Sequence, residues 1–427
     1  MLKRILVIIG FILIVAGLTF LLYYVFFRPA RPPVVAPPEV PEMPVRLPVT
    51  REAWERMTIE ERGRLNLPLF EWPEEVVEIP LPEVPIEEVI VPEISEVAQG
   101  GKTWVNSVMP DKTLGTFLSA DGVSSVYYNP DNGKFYRTDA LGAKTLLSDQ
   151  TFYNVKNVNW APTTDRAIIE YPDDFKIMYD FRTQKQYTLP KNWSEFSWEP
   201  NASKIAFKVN SQYPEQIWLA IANPDGTEAK PIEHMGDNAD KVTIAWSPNN
   251  QVIAFSRTGE PRAAFEHNML LIGLHGEKFR SFVVDGLGFE PIWSPAGDRI
   301  TYSVWNPDTG YRPKLYLVEA QGDRIGMNKI DTGLYTWAHK CSFNQTGSTL
   351  YCAVPRNLAE GAGAFSELAG YTQDNFYKID VRTGQIGFLA EPGMGGYDVE
   401  KIYLSQDENL LYFTDKLTGR LRYIRLR

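Results

Sequence analysis

From about residue 98 onward one short unit recurs, and it limits the fold more than any other feature of the chain. Its clearest copies are Ile292-Trp293-Ser294-Pro295-Ala296-Gly297-Asp298-Arg299-Ile300-Thr301-Tyr302 and Ala245-Trp246-Ser247-Pro248-Asn249-Asn250-Gln251-Val252-Ile253-Ala254-Phe255. Ser197-Trp198-Glu199-Pro200 before Ile205-Ala206-Phe207 follows the same plan, as does Asn159-Trp160-Ala161-Pro162 before Ala167-Ile168-Ile169. Weaker copies run through Leu118, Phe343 and Leu404. The equivalent positions are 118, 160, 198, 246, 293, 343 and 404, with successive spacings of 42, 38, 48, 47, 50 and 61.

Ser-Pro-x-Gly makes a tight turn, because Pro presets φ and Gly accepts a positive φ. The Trp side and the Ile-Ala-Phe side then pair as adjacent strands. Third strands follow at 216–220, 269–272, 314–318, 376–380 and 421–426. A short-stranded unit with this period is a propeller blade, and only a ring of blades covers both faces of each sheet. The expected fold is therefore all-β, a seven-bladed β-propeller over 98–427. Six blades is the alternative if the first or last copy is degenerate. The seventh copy stops after its third strand, so Thr103 to Val108 is expected to supply the outer strand and close the ring.

The Trp-Ser-Pro-x-Gly-x-x-Ile-Ala-Phe unit resembles the repeat of the TolB-like propellers, which also occurs in the propeller domains of prolyl oligopeptidase-type peptidases. The resemblance covers roughly residues 110 to 427. It implies the fold and says little about activity. TolB proteins carry an α/β domain ahead of the propeller; this chain has a different N-terminus.

That N-terminus begins with a four-residue tail, 1–4, followed by 23 uncharged residues from Ile5 to Phe27. As a helix this run reaches about 35 Å, enough to span a bilayer core. It is too long for a signal-peptide core and ends in bulky residues, so it reads as a retained signal anchor. Its Tyr23, Tyr24, Phe26 and Phe27 suit an interfacial belt. Lys3 and Arg4 on one side balance Arg28 and Arg31 on the other. The large domain that follows is expected on the extracytoplasmic side, in a periplasm or at a cell surface. Residues 28–97 hold 14 of the 31 Pro, with 15 Glu and 7 Arg, and read as a semi-rigid spacer. Thr58-Ile59-Glu60-Glu61 inside it fits a capping box, placing a short helix near 51–65.

Chemistry-bearing motifs are scarce. There is no Gly-x-Ser-x-Gly elbow, phosphate loop or dinucleotide fingerprint. The four His (His234, His267, His275 and His339) lack metal-ligand spacing. No cofactor or metal is implied. With 43 Lys and Arg against 53 Asp and Glu, the net charge of −10 argues against nucleic acid as a partner. Asn129-Pro130-Asp131-Asn132-Gly133 reads as a hairpin turn rather than a calcium loop.

The repeat register sets Cys341 opposite Cys352, so a disulfide between them is within reach; two buried free thiols are the other reading. Four adjacent copies have long loops between second and third strands, at 210–215, 257–268, 305–313 and 355–375. In a propeller these emerge on one face, and long loops on a rigid scaffold carry function. Their aromatic and Arg residues are the candidate anchors: Arg262, Phe265, Trp305, Tyr311, Arg312, Phe365 and Tyr371. The reading preferred from sequence is a membrane-anchored module that binds a protein of the cell envelope. A propeller hydrolase or lyase acting on envelope polysaccharide or peptide is the alternative.

Overall fold

Each repeat folds where its turn residues require it. In the copy around Trp293, Gly297 N donates to Ser294 O (2.9 Å), and Ser294 Oγ donates to Asp298 Oδ1 (2.7 Å). Gly297 has φ +68°, and a Cβ there would lie 2.8 Å from Asn249 Cγ on the neighbouring turn. Thr164, Ala202, Asn250 and Glu408 take the same left-handed place in other copies, with φ between 54° and 59°. The turn geometry is thus kept even where the glycine is not.

The computed structural model describes residues 55–64 and 94–427, apart from positions 120, 141, 278 and 394. The predicted tail 1–4, the predicted span Ile5–Phe27 and most of the predicted stalk lie outside the described residues. Among the described residues no helix is long and apolar enough to cross a membrane. The chain divides into two units, Met1–Glu87 and Glu88–Arg427. The described part of the first holds one helix, α1 (Ile59–Arg64). Thr58 N donates to Glu61 Oε2 (2.9 Å), and Glu61 N donates to Thr58 Oγ1 (3.4 Å), a reciprocal cap.

The second unit is all-β: seven sheets, one per repeat, form a seven-bladed propeller. The first strands are Leu114–Leu118, Asn157–Trp160, Trp193–Trp198, Val242–Ile244, Leu287–Trp293, Cys341–Phe343 and Val399–Leu404. Within a blade, successive strands pair antiparallel. The second strands are buried almost end to end: Ser125–Asn129 and Val252–Ser256 have no accessible position. Fourth strands such as Lys144–Leu146 and Lys185–Leu189 are largely exposed. Burial thus peaks at the second strands and falls off on both sides, since the innermost strand Leu287–Trp293 has no buried position.

Two of the expected third strands differ in detail. The one in blade 3 begins at Trp218, because Pro214–Gln216 forms a 3-10 turn. The one in blade 4 begins at Glu266, which shortens the predicted 257–268 loop.

The first strands hold the ring together. Trp160 Nε1 donates to Gly115 O (2.7 Å), Trp198 Nε1 to Asn159 O (3.2 Å), and Trp293 Nε1 to Ala245 O (3.0 Å). Each indole thereby reaches back to the inner strand of the preceding blade. Trp160 also meets Phe135 of blade 1 edge-on (5.6 Å), and Trp293 stacks on Phe255 of blade 4 (5.3 Å). In blade 4 the Trp246 indole bonds its own turn through Asn250, and the backbone N of Trp246 makes the inter-blade bond to Ser197 Oγ (3.0 Å). Tyr403 OH donates to Thr116 O between blades 7 and 1.

The segment before the first repeat serves two blades. Asn106–Ser107 pairs antiparallel with Arg420–Arg425 as the outer strand of blade 7, with Asn106 opposite Tyr423. Gly101–Thr103 adds a fifth, parallel strand to blade 6, with Gly101 opposite Ala390. The stretch from Thr103 to Val108 is therefore not one strand: the chain crosses from one blade to the next at Trp104 and Val105.

Gly297→Ala is expected to destabilise the propeller by about 2 kcal/mol, from the left-handed backbone plus the contact with Asn249. The shift of the urea midpoint against wild type measures it.

Candidate functional site

The alternation of strand direction sends all loops between second and third strands, and all connections between blades, to one end of the ring. The opposite end carries only the turns of the repeat and the third-to-fourth strand links. The two ends differ in what they expose. Tyr153, Tyr213, Tyr311, Phe365, Leu368, Tyr371 and Leu417 are exposed on the first. Val123 and Met327 are exposed on the second.

The longest loop lies between the second strand of blade 6, Thr349–Pro355, and the third, Asp374–Asp380. Its neck is closed by Arg356 N donating to Gln373 O (2.8 Å). Arg356 also pairs with Glu391 (3.2 Å). Its middle is tied to the neighbouring blade 5 loop, since Gly361 N donates to Gly310 O (2.9 Å) and Gly363 N to Tyr311 O (2.8 Å). The blade 5 loop is shaped by a capped 3-10 turn, Pro307–Thr309, in which Thr309 N donates to Asn306 Oδ1 (3.0 Å).

The seven sequence-selected residues fall into four groups. Trp305, Tyr311 and Phe265 come together, with ring centroids 5.9 Å apart for Trp305–Tyr311 and 6.4 Å for Phe265–Tyr311. Trp305 is half-buried and works inward: a Cβ on Gly363 would come within 2.7 Å of it, and one on Gly288 within 2.4 Å. Arg312 is also turned to structure, its guanidinium 6.0 Å from the Tyr335 ring centre. Arg262 is exposed and pairs loosely with Glu266 (3.6 Å). Phe365 and Tyr371 lie open at 64% and 48% exposure, and Leu368 between them reaches 53%. Sequence reasoning passed over Leu368, although its place between two exposed aromatics in a short 3-10 turn (Ser366–Ala369) was a usable signal.

Beneath this loop lies a buried ionic cluster that no motif announced. Lys340 Nζ contacts Asp374 Oδ2 (2.8 Å), Asp398 Oδ1 (3.1 Å) and Thr372 Oγ1 (3.3 Å). Thr372 Oγ1 donates to Asp398 Oδ1 (2.9 Å), and Val399 N donates to Asp374 Oδ2 (2.9 Å). All four side chains are buried. The cluster joins the start of blade 6, the end of the long loop and the entry to blade 7. One cation faces two carboxylates, and among the described residues Asp374 Oδ1 has no hydrogen-bond partner. Burial raises the Asp374 pKa against the lowering pull of Lys340.

Cys341, next to Lys340, is bonded to Cys352 directly opposite on the adjoining strand, with Cα atoms 4.1 Å apart. The bond staples the three-residue inner strand of blade 6 to its neighbour. No group of three or more metal-ligating side chains is found among the described residues.

No protein-family profile matches the chain, and no curated protein matches it. Solved structures do. The Cps50 (Swd1) β-propeller domain of Myceliophteria thermophila is 14% identical, with a TM-score of 0.51 over 76% of this chain and 100% of that one. An oligogalacturonate lyase in complex with manganese is 14% identical, with a TM-score of 0.49 over 76% and 93%. The oligogalacturonate lyase of Vibrio parahaemolyticus is 11% identical, with a TM-score of 0.48 over 76% and 93%. At these identities the likeness to the Cps50 domain shows the propeller fold and nothing of function.

Lys340→Met is expected to cost about 3–5 kcal/mol, because it leaves two buried carboxylates without their cation. Thermal unfolding measures the loss. Asp374 carries a separate pH signature. Its raised pKa means the folded chain holds the proton more tightly than the unfolded chain does. The contribution of this group to stability therefore falls as pH rises above the ordinary Asp value of 3.8. Asp374→Asn is expected to remove that fall, seen as a flatter difference in urea midpoint across the acidic range.

Proposed function

We propose that this chain is an extracytoplasmic, membrane-anchored propeller of TolB-like type that acts as a protein-binding module of the cell envelope. It docks its partner on the loop-bearing face. The observation that carries this reading is the blade 6 loop, which holds Phe365, Leu368 and Tyr371 exposed on a base tied by hydrogen bonds to the blade 5 loop. Exposed aromatics on a preorganised base give binding area at low ordering cost. Arg262 and Tyr311 extend the same surface. Phe265, half-buried against Tyr311, supports it.

The anchored, extracytoplasmic part of the reading rests on the apolar run Ile5–Phe27 and the Pro- and Glu-rich residues after it. The Cys341–Cys352 bond agrees with an oxidising compartment.

Photo-crosslinking in cells tests the proposal. A photoreactive residue at Phe365 is expected to give one discrete protein adduct that is absent when the probe stands at Val123 on the other face. Phe365→Ser with Leu368→Ser is expected to reduce recovery of that partner about tenfold or more, as for loss of an interface anchor. Equal adducts from both faces, or none from Phe365, would overturn the choice of face.

A further inference from the structure

Lys401 belongs to the inner strand of blade 7 and is exposed to solvent. Its Nζ lies 5.9 Å from the ring centre of Phe117 on the inner strand of blade 1, and 5.5 Å from that of Tyr403. Glu290, on the inner strand of blade 5, acts on it electrostatically, as does Glu400. A side chain that senses blade 1 on one side and blade 5, two blades away, on the other stands in the central channel. Among the described residues Nζ makes no hydrogen bond or ion pair. The channel walls lower the Lys401 pKa, and Glu400 and Glu290 work in the opposite direction.

Glu290 is aimed by a bulge. The pairing register shifts between Leu287 and Glu290, where Gly288 adopts φ +67°. Its Oε1 lies 2.7 Å from His339 Nδ1, and its Oε2 accepts from Ser303 Oγ (3.3 Å). A carboxylate only accepts, so Nδ1 carries a proton, and in the neutral form of the ring Nε2 is the acceptor. Nε2 has no partner among the described residues. The His339 ring stacks on Trp337 (6.1 Å between centroids). The turn Ala338–Lys340 touches the inner strands of both blade 5 and blade 7, which brings His339 to the same channel. Solvent reaches His339 and Glu290 as well, at 44% and 36% of their side chains.

These groups select a chemistry. A cation with no direct counter-ion takes a carboxylate. A free imidazole acceptor takes a hydroxyl proton. One lysine in the field of two glutamates suits a monoanion and disfavours a dianion such as phosphate. The ring faces of Phe117, Tyr403 and Trp337 suit an aliphatic or cyclic carbon skeleton.

We propose that the channel, towards its loop-bearing end, is a binding site for a small hydroxylated carboxylic acid. Lys401 holds the carboxylate, and His339, oriented by Glu290, accepts from a hydroxyl of the ligand. The site uses none of the residues proposed to dock a protein, so the two readings stand or fall separately.

Calorimetric titration of the purified full-length chain tests this, with gluconate as probe, acetate as the acid lacking hydroxyls and inorganic phosphate as the dianion. Saturable gluconate binding is expected, tighter than that of acetate or phosphate. Lys401→Met is expected to weaken it by about tenfold or more, as for one charge-assisted hydrogen bond. His339→Phe is expected to bring gluconate down to the level of acetate while leaving acetate unchanged. Phe365→Ser is expected to change neither. A measurement without variants accompanies these: gluconate is expected to protect Lys401 from acetylation by acetic anhydride, read by peptide mass. Absence of saturable gluconate binding, tighter phosphate binding, full affinity in a folded Lys401→Met chain, or Lys401 acetylation indifferent to gluconate would each overturn the proposal.

Discussion

The ring depends on one kind of contact, the bond that an inner strand makes to the inner strand of the blade beside it. Trp160, Trp198 and Trp293 each pass an indole N–H to a backbone carbonyl of the preceding blade. An edge strand facing a water-filled axis would otherwise leave such carbonyls to solvent. The same indoles bring large apolar faces, so one residue type both satisfies the backbone and fills the gap between sheets. The buried apolar side chains follow this plan. Among the described residues they form seven clusters, and each spans one pair of neighbouring blades. The core of this molecule is distributed around the ring, between blades.

The closing interface, between blades 7 and 1, is built differently. Its cluster is rich in tyrosine, with Tyr127, Tyr403 and Tyr412 buried together. Burial pushes the Tyr412 phenol up to about 12, and holds those of Tyr127 and Tyr403 well above the ordinary range. The hydroxyls of Tyr127 and Tyr403 are taken up by Asp111 and by Thr116 O. The chain also reinforces this region twice from its N-terminal side, with Asn106–Ser107 on blade 7 and Gly101–Thr103 on blade 6. A ring closed in this way leaves one end as short turns and frees the other for loops, which is where the exposed aromatics, the Lys340 cluster and the channel residues His339 and Lys401 gather.

Much of this was legible from the repeat alone, for a physical reason. A turn that needs Pro and a left-handed residue at a fixed offset, followed by a continuous apolar run, describes a buried central strand wherever it occurs. The copies at Trp246 and Trp293 are therefore readable one by one, and the weak copies at Phe343 and Leu404 become readable by their spacing. The site was legible only in part. Phe365 and Tyr371 stood out because a long loop has nowhere to go but the surface. Trp305 and Arg312 were chosen on the same ground and are turned inward, because the blade 5 and blade 6 loops pair with each other through Gly310, Tyr311, Gly361 and Gly363. Lys340, Asp374 and Asp398 are separated by 34 and 24 residues, and nothing in their local patterns distinguishes them from surface charges.

The sequence by itself determined a propeller of seven blades or six, the order of its first three strands, the tight turns and the sharing of one face by the long loops. These follow from local turn chemistry and strand alternation, which act over a few residues. Only the tertiary structure decided which loops lean on one another, that the N-terminal segment splits between two blades, that Lys340 neutralises carboxylates from two blades, and that Lys401 and His339 share one channel. Those outcomes depend on closing a ring, and closure sets side by side residues that the repeat period keeps far apart along the chain.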